Sequence, residues 1–251
     1  MTALGPDTVV GTFLLFCRIG TVMMLMPGLS STNIPVQIRL FLALAVSLAL
    51  APLLLAGARR AVFSTEPHAM LWLIGGELLI GALIGLLAQI FFMALQALAS
   101  VVASVVGFSG VPGAPIEGHE PTPALVSLIT VTAVVLMFQT GAHWELLRGL
   151  VASYSVLPIG EMFDARAGLI QIADQLSHTF LIVLRISSPF LIYAIIVNLA
   201  VGIVNKLLPQ ISVYFVSLPI VLAGGLLALY LNIQELLGLF TAEFMHWAAT
   251  G

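Results

Sequence analysis

The sequence has very little charge. Only 8% of its 251 residues are Asp, Glu, Lys or Arg, whereas 61% are hydrophobic. A soluble domain carries about 25% charged residues, and a chain with so few cannot cover its own surface with polar groups. The composition therefore argues against an ordinary soluble domain. It predicts several membrane-length helices that form one unit.

Cysteine and basic clusters are also scarce. Cys17 is the only cysteine, which excludes an intramolecular disulfide and a cysteine-based metal cluster. The sequence has no run of basic residues and a formal net charge of −3, which argues against nucleic acid as a partner. The N-terminus contains Asp7 and no Lys or Arg before the first apolar stretch. We therefore expect that stretch to be a retained membrane segment rather than a cleaved signal.

Recognisable catalytic and metal-binding motifs are missing from the sequence. Neither G-x-S-x-G nor H-E-x-x-H occurs, and no glycine-rich phosphate loop carries a lysine. The five histidines are scattered and lack the i, i+3 or i, i+4 spacing of a metal site. We therefore expect a protein that is not an enzyme and that has no cofactor or metal. An intramembrane enzyme is the least favoured of the function classes.

What the sequence does contain is a series of apolar stretches, several of them close to the roughly 20 helical residues that cross a hydrocarbon core. They cover about 9–26, 40–56, 69–108, 124–140, 179–204 and 214–231. The 69–108 stretch is twice too long for a bilayer, so it is either two helices or one helix that extends into an assembly. Residues 144–178 are mixed and predict interfacial or water-facing helices broken at Pro158. Residues 234–247 are typical of an amphipathic interfacial tail.

Prolines and small residues interrupt these stretches. Pro52, Pro189 and Pro219 lie inside predicted helices, where they either kink the helix around a partner or cavity or have no role. Gly81 and Gly85 form a small-xxx-small pair that permits close helix contact. We predict an all-α, polytopic membrane protein of long, kinked helices and helical hairpins. It would form part of a helical assembly of subunits.

A segment rich in glycine and proline, from Gly107 to Pro123, is the most informative local feature. Its four glycines and four prolines exclude helix and strand for most of its length. An irregular segment this long is uncommon unless it is functional or disordered, so we favour a functional loop over a floppy linker. The loop divides the single predicted unit, 1–251, into N-terminal helices in 1–106, the loop in 107–123 and C-terminal helices in 124–251.

Three charged residues, Arg18, Glu77 and Arg185, lie within apolar stretches. A charge in hydrocarbon is costly, so each needs a partner, water or a neighbouring helix. One interpretation is a proton or ion path, as in an ion-coupled secondary transporter that uses Glu77. The other is structural ion pairs or contacts to partner subunits. We favour the second, because a relay needs a chain of titratable groups and Glu77 is the only acid deep in a span.

Short motifs follow one another along the chain in an order that is typical of one family. They are Arg18-Ile19-Gly20, Pro27-Gly28, Ile34-Pro35 to Arg39, Glu77-xxx-Gly81-xxx-Gly85, Gly141-Ala142-His143, Ser153 to Gly160, Ser188-Pro189-Phe190, Asn198 to Gly202 and Pro209 to Tyr214. By their order and spacing the chain resembles the FliR/SctT family of type III secretion export-gate proteins over nearly its whole length. Membership of the flagellar branch is favoured over the injectisome branch.

The resemblance implies a multi-pass subunit of the export gate in the bacterial inner membrane, within the flagellar basal body. FliP-like and FliQ-like subunits would surround the secretion channel with it. It would contact FlhB-like and FlhA-like proteins, membrane lipid and the secreted unfolded polypeptides. By position, a plug that helps to close the channel at rest would contain Gly107, Phe108, Gly110, Val111, Pro112, Gly113, Pro115 and Ile116. Polar residues expected inside the membrane or at subunit contacts are Arg18, Arg39, Glu77, Arg185, Asn198, Asn205, Lys206, Pro209 and Gln210.

Overall fold

A computed structural model of the chain describes residues 6–31, 34–58, 67–109, 123–159, 164–207 and 213–250. The regular secondary structure in these ranges is α-helical. The helices are α1 (Pro6–Leu25), α2 (Val36–Ala58), α3 (Pro67–Val106), α4 (Ala124–Gln139), α5 (Ala142–Val156), α6 (Ala165–Leu207) and α7 (Val213–Thr250). The predicted all-α fold is confirmed.

Several of the helices have the length and composition of membrane spans. Among the described residues, α1, α2, α3, α6 and α7 are each long and apolar enough to cross a bilayer. The pair α4 and α5, separated by a short break, would supply a sixth span if it counts as one. The predicted polytopic membrane protein is therefore confirmed.

The longest helices exceed the thickness of a bilayer. The apolar stretch 69–108, for which two alternatives were open, lies within and just beyond α3, a single helix of 40 residues. Helix α6 is longer still, with 43 residues. At about 1.5 Å per residue both are about 60 Å long, twice the roughly 30 Å of a hydrocarbon core. The break predicted at Pro158 separates α5 from α6, and the segment 234–247 continues α7 without interruption.

The chain divides into two compact units that each combine distant parts of the sequence. Unit 1 comprises the described residues of Met1–Ile90, Gly141–Leu176 and Trp247–Gly251. Unit 2 comprises those of Phe91–Thr140 and Ser177–His246. The predicted single unit with its three segments stays a prediction.

The core of unit 1 forms where α1 meets the N-terminal part of α3. Leu14, Leu15 and Ile19 of α1 are fully buried, and Ile80 of α3 is almost fully buried. A Cβ atom on Gly81 would lie 2.5 Å from a main-chain oxygen of α1, so the two helices are in backbone contact there. This is the close approach that the small-xxx-small pair predicts.

The core of unit 2 is aromatic. Phe91 and Phe92 at the start of the unit-2 part of α3 meet Phe240 and Phe244 of α7 edge to face, with ring centroids 5.2–5.7 Å apart. Such edge-to-face pairs stabilise packing by about 0.5–1.5 kcal/mol beyond the area they bury. The C-terminal part of α3 therefore packs directly against α7.

The three prolines predicted inside spans lie within α2, α6 and α7, and each helix continues through its proline. Pro189 has no N–H to donate to the carbonyl of Arg185, four residues earlier. The hydroxyl of Ser188 donates to that carbonyl instead, at 2.8 Å. A serine next to the proline thus satisfies the acceptor that the proline leaves open, which a helix in an apolar medium requires.

Candidate functional site

Two charged residues predicted to lie inside the membrane, Arg18 of α1 and Glu77 of α3, form one ion pair within unit 1. Arg18 Nε donates to Glu77 Oε2 at 2.6 Å, and Arg18 Nη2 donates to Glu77 Oε1 at 3.2 Å. The pair is therefore bidentate, which is the strongest geometry for an arginine and a carboxylate. The side chain of Arg18 is 0% exposed and that of Glu77 is 2% exposed. The structure places this pairing inside the chain.

Helix α5 completes the surroundings of the same guanidinium. Arg18 Nη1 donates to Ser153 Oγ at 3.2 Å, and Arg18 Nη2 donates to the main-chain oxygen of Leu157 at 3.0 Å. The ring of Tyr154 lies below the guanidinium, with its centroid 4.0 Å from Cζ. Leu157 directly follows α5, where carbonyl groups lack partners in the helix. One buried arginine thus joins α1, α3 and the end of α5.

The close approach of α1 and α3 explains how the ion pair forms. Glu77 and Gly81 lie one turn apart on the same face of α3. Because Gly81 has no side chain, α3 contacts the backbone of Arg18 directly. The carboxylate one turn earlier then lies within reach of the guanidinium. The glycine and the glutamate of the predicted motif therefore serve the same contact.

Arg39, another of the predicted polar residues, stabilises the connection between α1 and α2. Its Nε and Nη2 donate to the main-chain oxygen of Ile34 at 3.2 and 2.9 Å, and Nη2 also donates to that of Ser31 at 3.3 Å. The contacts of Arg39 are local to this turn. A role for Arg39 at a subunit contact stays a prediction.

The start of the predicted plug loop is the C-terminal cap of α3. Gly107 has φ of 83°, a left-handed conformation that glycine adopts without a steric penalty. The N–H of Phe108 donates to the oxygen of Ala103, and that of Gly107 donates to Ser104. These two bonds define a Schellman motif. The other predicted plug residues, Gly110, Val111, Pro112, Gly113, Pro115 and Ile116, lie outside the described residues.

A second polar site lies in unit 2, between α6 and α7. A cleft of about 290 Å³ is lined by Arg185 and Ser188 of α6 and by Asn232 and Glu235 of α7, together with leucine side chains. Arg185 and Glu235 are both exposed. Within the described part of the chain neither takes part in an ion pair. Arg185 therefore differs from Arg18 in that its charge is presented to the surroundings.

Three of the remaining predicted polar residues lie on the second half of α6. Asn198 is exposed, and its Nδ2 donates to the oxygen of Ala194 at 2.9 Å. Asn205 and Lys206 are exposed in the last turn of α6, where a cation is favourable for the helix dipole. Pro209 and Gln210 lie outside the described residues. The described members of this group, Asn198, Asn205 and Lys206, are not among the residues that line the cleft.

Sequence reasoning did not single out four residues of these two sites. Ser153 and Tyr154 belong to a motif of the family resemblance, but nothing in their spacing connects them with Arg18. Glu235 was included with the predicted tail, and Asn232 lies between the last predicted span and that tail. Their spacing of i, i+3 on one helical face, at the end of an uncharged run, is a signal that could have identified them. In the described ranges no three His, Cys, Asp or Glu side chains are grouped as a metal site requires.

The long apolar helices and the buried ion pair define a polytopic α-helical membrane protein. Comparison with known families then identifies the family to which this membrane protein belongs. A model described as bacterial export proteins, family 1, matches residues 9–247. The chain belongs to this family, the FliR/SctT proteins of type III export.

Individual relatives agree with this assignment. The chain is 26% identical to the flagellar biosynthetic protein FliR of Caulobacter vibrioides, over 92% of this chain and 91% of that protein. It is 29% identical to FliR of Escherichia coli, over 80% and 75% of the two chains. It is also 26% identical to the Yop proteins translocation protein T of Yersinia pestis, over 69% and 68%. The protein is therefore a multi-pass membrane component of a flagellar or related type III export apparatus.

Proposed function

We propose that this chain is a non-enzymatic structural subunit of the flagellar export gate in the bacterial inner membrane. With FliP-like and FliQ-like subunits it would form the secretion channel, and it would contact FlhB-like and FlhA-like proteins at the basal body. Unfolded secreted polypeptides would pass through the channel. The family assignment, with FliR proteins among the relatives over most of both chains, supports the flagellar branch.

The observation that carries the proposal is the excess length of apolar helix. Helices α3 and α6 contain 40 and 43 residues, about twice what a bilayer covers. Large apolar side chains are exposed along both, such as Leu71 of α3 and Phe180 of α6. Apolar surface outside the hydrocarbon core must be covered by protein. Association with further subunits supplies that cover.

The end of α3 supports a closing role for the loop that follows. The Schellman motif at Gly107 and Phe108 stops the helix at a defined residue. The following residues, 110–122, contain three glycines and three prolines, which oppose both helix and strand. We propose that this loop closes the channel at rest and moves aside for a passing polypeptide.

The loop proposal is tested by deleting residues 110–118, which leaves the Schellman motif of α3 intact. We expect the complex to assemble with its partner subunits and the membrane to become permeable to small ions. A variant in which the same residues are replaced by an equally long Gly/Ser segment is the matched control for length. A membrane that stays impermeable after the deletion would contradict the closing role.

Co-purification in mild detergent tests the subunit proposal. We expect two small hydrophobic partners, the FliP-like and FliQ-like proteins, in a fixed ratio to this chain. The alternative, an ion-coupled transporter that uses Glu77, requires a chain that works alone. In the structure both oxygens of Glu77 bind Arg18, and transport would require Glu77 to leave that guanidinium. We therefore assign Glu77 a structural role.

A further inference from the structure

The cleft between α6 and α7 has an unusual set of polar groups for an apolar hairpin. Arg185 offers donors with a positive charge, and Glu235 offers a carboxylate. Ser188 uses its hydroxyl donor within its own helix, since Ser188 Oγ donates to Arg185, and Asn232 uses one of its two amide N–H groups in the same way, since Nδ2 donates to Ala228. Their side-chain oxygens can therefore accept. The cleft offers one cationic donor group and three groups that accept hydrogen bonds.

The position of the cleft along the hairpin matches the edge of a hydrocarbon core. About 20 uncharged residues separate Arg185 from Lys206 on α6, and about 20 separate Val213 from Glu235 on α7. Each segment is about 30 Å long, which is the thickness of a hydrocarbon core. With the end of α6 and the start of α7 at one interface, Arg185 and Glu235 lie at the level of the opposite lipid headgroups.

Neighbouring side chains support the position of the cleft at the level of the lipid headgroups. Tyr230, just over one turn of α7 before Glu235, is 77% exposed, and tyrosine is enriched where the hydrocarbon core meets the headgroups. Leu236 and Leu239 line the same cleft as the charged residues. The cleft therefore combines charged groups with an apolar wall, as the boundary between a headgroup and its acyl chains does.

We propose that this cleft binds the headgroup of a phospholipid that carries both a phosphate and a primary ammonium group, phosphatidylethanolamine. Arg185 binds the phosphate, because a guanidinium fits phosphate oxygens. Glu235 accepts from the ammonium, with Asn232 Oδ1 and Ser188 Oγ as further acceptors. The acyl chains lie along the leucines of α7.

The size of the cleft favours a headgroup over a partner helix. Its volume of about 290 Å³ is at the lower end for small-molecule sites. A partner helix with its side chains is about 10–12 Å across, which is too wide for a cleft of this volume. The two charges favour a zwitterion. A purely anionic headgroup would leave Glu235 exposed at the edge of the hydrocarbon core, which is costly.

The test is lipid retention by the full chain, purified with whatever export subunits accompany it. The protein is equilibrated with mixed micelles of phosphatidylethanolamine, phosphatidylcholine and phosphatidylglycerol in equal amounts, and retained lipid is measured by native mass spectrometry. The trimethylated ammonium of phosphatidylcholine cannot donate a hydrogen bond, and phosphatidylglycerol has no ammonium. We expect phosphatidylethanolamine to be retained at least about tenfold over either, the effect of one lost hydrogen bond to a charged group.

Variants assign the roles of the two charges. Arg185→Gln should reduce retention of phosphatidylethanolamine by about tenfold or more, whereas Glu235→Gln should remove its preference over phosphatidylglycerol. Arg166→Gln removes an exposed arginine of the same helix that does not line the cleft, and it should change neither the retention of phosphatidylethanolamine nor its preference over phosphatidylglycerol. Thermal unfolding in detergent verifies that each variant is folded.

Four results would overturn the proposal. Equal retention of the three lipids would mean an unspecific lipid annulus, and equal retention of phosphatidylglycerol and phosphatidylethanolamine would remove the role of Glu235. An equal loss in Arg166→Gln and Arg185→Gln would mean a general effect of charge. Unchanged lipid retention in Arg185→Gln together with loss of partner subunits would assign the cleft to a protein side chain.

Discussion

Units 1 and 2 each hold an arginine and a glutamate on long apolar helices, and they use them differently. In unit 1, Arg18 and Glu77 bind each other through two hydrogen bonds and are removed from solvent. In unit 2, Arg185 and Glu235 line one cleft and remain exposed. The charges of unit 1 are thus satisfied within the chain, whereas those of unit 2 remain available to the ligand that we propose.

The spacing between the paired helices accounts for the different use of the charged residues in the two units. In unit 1 a glycine brings α1 and α3 into backbone contact, so the guanidinium and carboxylate meet. In unit 2 the side chain of Tyr193 lies between α6 and α7. Tyr193 donates to the oxygen of Val221 at 2.7 Å, and its ring lies against Gly224. The hairpin is held together there, roughly two turns from the cleft that contains Arg185 and Glu235.

The largest expected effect comes from breaking the buried ion pair. Replacing Glu77 with leucine leaves the Arg18 charge buried without its counterion, which typically costs about 3–5 kcal/mol. We expect Glu77→Leu to lower the free energy of unfolding by that amount, measured by denaturant unfolding of the purified protein in detergent. In cells, its accumulation in the membrane should fall sharply.

Two further variants show whether the loss comes from the unpaired charge. The double variant Arg18→Met, Glu77→Leu removes both charges and should recover much of the stability, because apolar residues of similar size often replace a buried pair without loss. Glu145→Gln breaks the pair with Arg148, whose side chain is 75% exposed, and should cost less than about 1 kcal/mol. A double variant as unstable as Glu77→Leu would contradict this explanation.

The second effect concerns the helix contact that forms the pair. A Cβ atom on Gly81 would lie 2.5 Å from the oxygen and 3.1 Å from the Cα of Arg18, and this backbone cannot move aside cheaply. We expect Gly81→Ala to cost about 1–3 kcal/mol of stability in the same unfolding measurement.

Gly75 of the same helix is the matched control, because nothing lies within 4 Å of the Cβ it would gain. Gly75→Ala should leave stability unchanged or raise it by up to about 1 kcal/mol through helix propensity. Equal effects of the two substitutions would mean that α1 and α3 do not depend on the Gly81 contact.

The helices of this fold follow from the sequence by elementary rules. Apolar stretches of about 20 residues predict spans. The break at Pro158 follows because proline cannot continue a helix. The sequence could not decide between one helix and two for α3. The length of the stretch favours two helices, whereas no residue between 69 and 106 marks a break. Tertiary packing decides between the two alternatives. The distribution of the chain over two units depends on contacts between distant segments, which no local pattern records.

The candidate sites could be predicted only in part. Arg18 and Glu77 were recognised as polar residues in spans, but they lie 59 positions apart in sequence, and their pairing depends on the tertiary contact at Gly81. Composition alone could not tell Arg18, which is satisfied within the chain, from Arg185, which forms no ion pair with another described residue. Glu235 escaped attention because it stands at the boundary of a span rather than inside one.

The third effect concerns the start of the loop that we propose as the plug. Gly107 has a left-handed conformation, which costs any other L-residue about 1–2 kcal/mol. Gly107→Ala should therefore destabilise the end of α3 in unit 2 by about 1 kcal/mol and increase hydrogen exchange of the Gly107 and Phe108 amides. Gly202→Ala in α6, where nothing lies within 4 Å, is the control and should not be destabilising. Unchanged exchange in Gly107→Ala would mean that the Schellman motif does not fix the start of the loop.

The smallest effect on stability is expected at the cleft, and it tests the comparison between the units most directly. Arg185 is exposed, and in the described part of the chain it has no ion pair, so Arg185→Gln should change the free energy of unfolding in detergent by less than about 0.5 kcal/mol. Arg18→Gln, the same change in unit 1, should cost several kcal/mol because it leaves Glu77 buried without its cation. A large loss in Arg185→Gln would mean that this arginine is also satisfied within the chain, and the contrast between the units would fail. If the loss is small in detergent but stability rises with phosphatidylethanolamine in the wild type alone, the arginine acts through the lipid that it binds.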